Sequence, residues 1–155
     1  MLEVCISDEQ ERLVLELSLL EELVRRVVSS ECVEAEVVYL NFIDEKAIMA
    51  LHEEYYGDPS PTDCLSFPLD GSEDPPPRVL GELFVSTDAA CDHASSEGGS
   101  PYDELTLYVV HSLLHLMGYA DDTEEHIAEM RSAEVRHLLC LQREGLMLRP
   151  PVDVS

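Results

Sequence analysis

Residues 110–122 read VHSLLHLMGYADD, and the organisation of the whole chain follows from how this stretch folds. It closes a long apolar helix that Pro101 opens and that runs to Met117. His111 and His115 stand four apart in it, which sets their rings one turn apart on one face, the geometry that chelates a single metal ion. Gly118 then ends the helix and can take the left-handed conformation that swings the chain back. Asp121, six residues after the second histidine, becomes a candidate third ligand, while Asp122 lies beside it and either acid can cap the next helix. Two histidines, a carboxylate and an open position make a catalytic type of site, in which coordinated water loses a proton near neutral pH. Residue 112 is serine, so the HExxH pattern and its glutamate base are absent, which argues against a common metallopeptidase. His93, Glu125 and His126 are chemically able rivals that read as solvated surface residues.

Outward from this helix, strands and helices mix without strict alternation. On the C-terminal side a last helix, about Thr123 to Glu144, sets Ile127, Met130, Leu138 and Leu141 inward before Gly145 stops it. On the other side, Asp88 to Glu97 reads as a short helix and Val79 to Thr87 (VLGELFVST) as an interior strand. A glycine and proline loop, Asp70 to Arg78, joins that strand to Cys64–Leu69 (CLSFPL), which suggests antiparallel neighbours. Glu36 to Ile43 (EVVYLNFI) is apolar on both faces and suits a central strand. Asp44 caps a helix that carries Ile48, Leu51 and Tyr55 to Gly57. Val4 to Ile6 reads as an edge strand, followed by an amphipathic helix on the stripe Leu13, Leu17, Leu20, Val24 and Val27. The expected fold is a single α+β domain, a small mixed β-sheet with packed helices, over residues 1–149, with a frayed tail over 150–155.

A chain of 155 residues and 17.4 kDa has material for one core, and 45% hydrophobic residues with a mean hydropathy of −0.06 exclude wholesale disorder. The net charge of −24 is the unusual quantity: 33 acids face nine bases, of which Lys46 alone is lysine. Such a surface repels a polyanion over most of its area, so any nucleic-acid role rests on a local site. It also suits salt-rich surroundings, where screening shortens the repulsion. Five cysteines without a CxxC pair fit reduced thiols in a cytosol. The amino terminus has no basic region ahead of an apolar stretch, and the uncharged run Leu105 to Ala120 is shorter than the ~20 apolar residues a spanning helix needs. A cytoplasmic protein without a membrane partner is the expectation.

Three motifs resemble one family. HSLLHLMGYAD (His111 to Asp121) is similar to the H-G-x-L-H-L-x-G-Y-D-H signature of the YbeY family of bacterial rRNA-maturation endoribonucleases. PTDCLSFP (Pro61 to Pro68) is similar to its TDVLSFP strand, and LGELFVSTDAA (Leu80 to Ala90) to its LGDIxIS strand and following helix. The motifs stand in family order, and the resemblance spans roughly residues 36 to 140. It implies a zinc-bound cleft, single-strand-selective endoribonuclease activity, 16S rRNA processing, ribosome quality control, and as partners the small ribosomal subunit and an Era-like GTPase, with no role on DNA.

By position the family's first two metal histidines fall on His111 and His115 and the third on Asp121, a departure that lowers the formal charge of a divalent site by one unit. That weakens the Lewis acid and admits iron, manganese or nickel beside zinc. A second departure is Tyr56, where most family members carry an arginine; it can stack on an unpaired base or pack in the core, with His52 and Lys46 the nearest polar substitutes. Thr62, Asp63 and Ser66 border the implied cleft as substrate contacts, or serve as turn caps and strand polarity. Glu82 matches the acidic position of the LGDI motif and, as a buried acid, calls for a structural partner. Cys64 reads as a small buried hydrophobe. The expected function is a metal-dependent endoribonuclease acting on single-stranded rRNA. A ribosome-assembly binding module with a structural metal, or a metal-dependent hydrolase of another substrate, are the alternatives.

Overall fold

The β-branched run Val37–Ile43 forms the strand around which the other elements assemble. A computed structural model describes residues 1–71 and 73–151. In it the chain runs β1 (Glu3–Asp8), α1 (Leu17–Ser30), β2 (Val37–Ile43), α2 (Glu45–Tyr56), β3 (Cys64–Pro68), β4 (Val79–Ser86), α3 (Thr87–Glu97), α4 (Pro101–Leu116) and α5 (Glu124–Glu144). The sheet order is β1-β2-β4-β3. β1 and β4 pair parallel to β2, and β3 pairs antiparallel to β4. Connectivity explains both senses: α1 carries the chain back over the sheet for a parallel neighbour, whereas the loop after β3 only reverses it. Leu69 and Asp70 extend that reversal by donating backbone N–H bonds to Leu80 and Val79.

The two faces of the sheet are unequally covered. Val38, Leu40, Phe42, Leu83 and Val85 point into the main core with α1, α4 and α5. The opposite face holds a smaller cluster of Ile43, Ile48 and Leu65, with Phe67 and Phe84 packed against it under α2. The expected two-sided burial of β2 therefore holds at Ile43 and fails at Tyr39, which lies further along the same face and is 39% exposed. Glu82 lies on this less covered side of β4. It is half-buried with no ion-pair or side-chain hydrogen-bond partner among the described residues, so the expected structural partner is not there.

Local hydrogen bonds set the helix limits. Asp44 accepts from the Ala47 N–H at the start of α2, and Gly57 closes it in the left-handed conformation. α1 begins at Leu17, later than its apolar stripe suggests. The Gln10 side chain captures both backbone groups of Leu13, accepting from its N–H at 2.9 Å and donating to its carbonyl at 2.7 Å, which holds that segment outside the helix. The end of α4 is seated by Gly81 on β4. A Cβ there would lie 2.6 Å from Leu116 Cδ2 and 2.6 Å from the Phe67 carbonyl oxygen, so only glycine lets helix and strand approach this closely. In α5, Met130 and Leu141 are buried as expected, but Ile127 is 38% exposed and forms cleft wall instead of core. Pro150 and Pro151 are exposed, and the rest of the expected tail, 152–155, lies outside the described residues. Among the described residues no helix is long and apolar enough to cross a membrane.

Candidate metal centre

α4 is buried along most of its length, and His111 and His115 occupy a stripe of its C-terminal half that reaches a cleft. Their side chains are 27% and 24% exposed. Gly118, at φ +105°, turns the chain back: Tyr119 N–H bonds to the Leu114 carbonyl at 3.0 Å, and the Tyr119 carbonyl comes to 3.0 Å from His115 Nδ1. That reversal places Asp121 Oδ2 3.3 Å from His115 Nε2. One ligand atom from each of His111, His115 and Asp121 falls within 4.8 Å of the others.

The tautomers follow from the partners. A carbonyl only accepts, so His115 carries its proton on Nδ1 and donates it to Tyr119. His111 Nδ1 lies 2.9 Å from Glu134 Oε1 and by the same reasoning donates to that carboxylate. In neutral rings, the form that binds a metal, both Nε2 atoms are then lone pairs, and they face each other at 3.1 Å with the Asp121 carboxylate beside them. Three electron pairs converging without a proton between them repel, and a cation turns that repulsion into coordination. The donor set therefore fits a metal ion.

The rival ligands are engaged elsewhere. Thr123 caps α5 by accepting from the His126 N–H, and the Asp122 carboxylate bonds the His126 ring. This leaves Asp121 free to face the histidines. The contact holds the Asp122 carboxyl below its usual range and raises the His126 imidazole. His93 faces Glu104 at 3.5 Å, and Glu125 sits exposed in the first turn of α5. Ser112 is fully buried and lines neither cleft, so the second position of the histidine motif supplies no base.

Two clefts of about 400 Å³ each meet at the histidine pair, sharing Asp63, Cys64, His111 and Asp121. On the β3 side the structure brings together all the residues anticipated around the substrate: Tyr56, Thr62, Asp63 and Ser66. Tyr56 is 58% exposed, so its ring does not pack in the core; it stacks partly on Phe67, with centroids 6.3 Å apart. The Ser66 hydroxyl donates to the Ser112 carbonyl at 3.2 Å, tying β3 to α4 between the two histidines. Thr62 Oγ1 makes a long contact, 3.4 Å, to the Cys64 carbonyl, and the Asp63 carbonyl accepts from the Ser86 N–H at 2.9 Å. Neither His52, which donates to the Ser60 carbonyl, nor Lys46 lines the cleft. Burial, reinforced by Asp63, pushes the Cys64 thiol and the Tyr108 phenol well above their ordinary values, so both are protonated at neutral pH.

Residues that sequence reasoning missed come from α5. Glu134 orients His111, and Arg131 lines the second cleft with Leu107, Tyr108, Ile127 and Met130. The spacing of 127, 130, 131 and 134 marks one helix face, which was the available signal; that this face meets His111 is a tertiary fact.

Fold and site together define the class: a one-domain α+β protein with a two-histidine, one-carboxylate group, able to hold a metal ion, in a solvent-open cleft. The model of the family described as endoribonuclease YbeY matches residues 5–142. An endoribonuclease YbeY of Protochlamydia amoebophila is 41% identical over 143 residues, covering 92% of this chain and 95% of its own. One from Chlamydia trachomatis is 38% identical over 152 residues, covering 97% and 94%. The chain belongs to the endoribonuclease YbeY family, a family of hydrolases. A solution structure of a Thermotoga maritima protein, 22% identical, shares the fold with a TM-score of 0.59 over 98% of both chains.

Proposed function

We propose that this chain is a metal-dependent endoribonuclease that cleaves single-stranded rRNA, with His111, His115 and Asp121 as its metal ligands. The observation that carries the reading is the convergence of both Nε2 lone pairs and the Asp121 carboxylate, with each Nδ1 already committed to its own acceptor. A divalent ion held there, zinc by donor set with iron, manganese and nickel as competitors, supplies Lewis-acid activation of water and neutralises charge at the phosphodiester. Glu134 and the Tyr119 carbonyl fix the two rings. Tyr56, at the far lip, offers an exposed ring face for an unpaired base. With a net charge of −24 the body of the protein repels RNA, so the substrate is best delivered already ordered, on the small ribosomal subunit in the cytoplasm and with an Era-like GTPase as partner.

The partial exposure of all three ligand side chains favours catalysis over a purely structural metal, because structural sites are closed. Elemental analysis of wild type beside Asp121→Ala and Asp122→Ala, followed by cleavage assays on single-stranded and duplex RNA, tests the reading. The expected result is one ion per chain in wild type and Asp122→Ala, its loss in Asp121→Ala, and cleavage of the single strand only where the ion is kept. Full metal occupancy in Asp121→Ala, or cleavage indifferent to metal, overturns it.

A further inference from the structure

Basic side chains are scarce in this chain, and most are occupied. Among the described residues Arg12, Arg25, Arg26 and Arg136 pair with carboxylates, and Arg78 and Arg149 donate to backbone carbonyls. Lys46, Arg131 and Arg143 have no such partner, and of these three only Arg131 lines a cleft at the histidine pair. Glu134, three residues on along the same face, turns its carboxylate to His111 Nδ1 at 2.9 Å and forms no ion pair with Arg131. The guanidinium is exposed in a cleft that three acids, Asp63, Asp121 and Glu134, also line.

The rest of that cleft is apolar: Leu107 and Ile127 offer surface against which a base can lie, over the buried Tyr108 and Met130, and the volume is about 420 Å³. The cleft on the β3 side is lined by no lysine or arginine among the described residues. A strand crossing the histidine pair therefore meets a cation on one side only. We propose that Arg131 is a substrate-binding residue that grips the backbone phosphate next to the one cleaved, on the α5 side of the histidine pair. The planar guanidinium can contact two phosphate oxygens at once. This rests on the RNA-cleaving function proposed above, and it names the residue that gives an acidic protein its local hold on a polyanion.

The test is equilibrium binding of a fluorescent single-stranded 2′-O-methyl RNA of about ten nucleotides to the zinc-loaded full chain, by anisotropy over a series of KCl concentrations. Arg131→Ala, Arg131→Lys and Arg143→Ala are compared with wild type. Arg143→Ala removes the same charge from the same helix away from the cleft. Arg131→Ala is expected to weaken binding about tenfold and to lower the slope of log Kd against log salt by about 0.7, the loss of one single-strand phosphate contact. Arg131→Lys keeps the slope and loses part of the affinity, and Arg143→Ala shifts Kd less than about twofold. Metal content and Tm stay at wild-type values in all three. Equal effects of Arg131→Ala and Arg143→Ala, no effect of either, or no binding by wild type at any salt overturns the proposal. Arg131-dependent binding without RNA cleavage would sink the catalytic reading alone, whereas cleavage by a wild type whose binding ignores Arg131 would sink this one alone.

Discussion

Glu134 fixes the tautomer of His111 with a single hydrogen bond, so its removal is felt at the metal before it is felt by the fold. Glu134→Ala is expected to lower zinc affinity by about tenfold or more, read by competition with a chromophoric chelator, with Tm nearly unchanged. An unaltered affinity would mean that the ring is held by packing instead. Glu31, at the end of α1, is the opposite case. Burial alone would raise its carboxyl, but bonds from the Tyr119 hydroxyl, His137 and Arg136, at 2.7, 2.7 and 2.6 Å, outweigh it and hold the group below its ordinary value. A carboxylate depressed in the folded state stabilises above its unfolded pKa and loses that contribution as pH falls through the folded one. Glu31→Gln should therefore cost about 2 kcal/mol at neutral pH, because His137 is left buried against a weaker acceptor. Denaturation in urea should show that gap closing as pH drops below the ordinary carboxylate range; a gap constant with pH would refute the assignment.

At the scale of elements, the contact of α4 with the β3–β4 edge is what places the histidines. Gly81→Ala forces a methyl against Leu116 and the Phe67 carbonyl, and overpacking of this kind costs about 1–3 kcal/mol, measurable as a lower urea midpoint at unchanged slope. Elements whose signal is local were legible in the sequence. The histidine spacing, the Gly118 stop, the Asp44 cap and the antiparallel pair across Asp70–Arg78 all depend on neighbours within a few residues. The ambiguity between Asp121 and Asp122 needed the structure, because it turns on Thr123 taking the cap and His126 taking Asp122. Ile127 illustrates the same limit: periodicity says which residues share a face of α5, but not that the first turn of that face meets a cleft while the later turns meet the core. Glu134 and Arg131 were invisible for that reason, and Gln10, which delays α1, competes through backbone bonds that a hydrophobic stripe does not record.

For the whole molecule, charge is the dominant peculiarity, and its effect on stability has a definite sign. Thirty-three acids against nine bases cannot all be paired, and the ion pairs that do form involve mostly exposed side chains, whose attraction water and salt screen. Salt weakens these few attractions and the far more numerous repulsions together, so screening favours the folded state. Raising KCl from about 0.01 M to about 1 M shrinks the Debye length from about 30 Å to about 3 Å. Tm should rise, and a gain of about 2 kcal/mol corresponds to about 4–8 °C for a chain of this size. With no tryptophan, far-ultraviolet circular dichroism is the suitable probe, and chloride avoids the preferential exclusion by which sulfate would stabilise any protein. A Tm that falls or stays level would show that the acids are spaced widely enough not to repel. The same titration bears on RNA. Counterion release at a phosphate contact weakens binding as salt rises, while screening of the acidic body relieves the repulsion that opposes approach. The net salt slope for RNA should therefore be shallower than the number of phosphate contacts suggests, which is why one guanidinium in the cleft can be resolved against the charge of the whole chain.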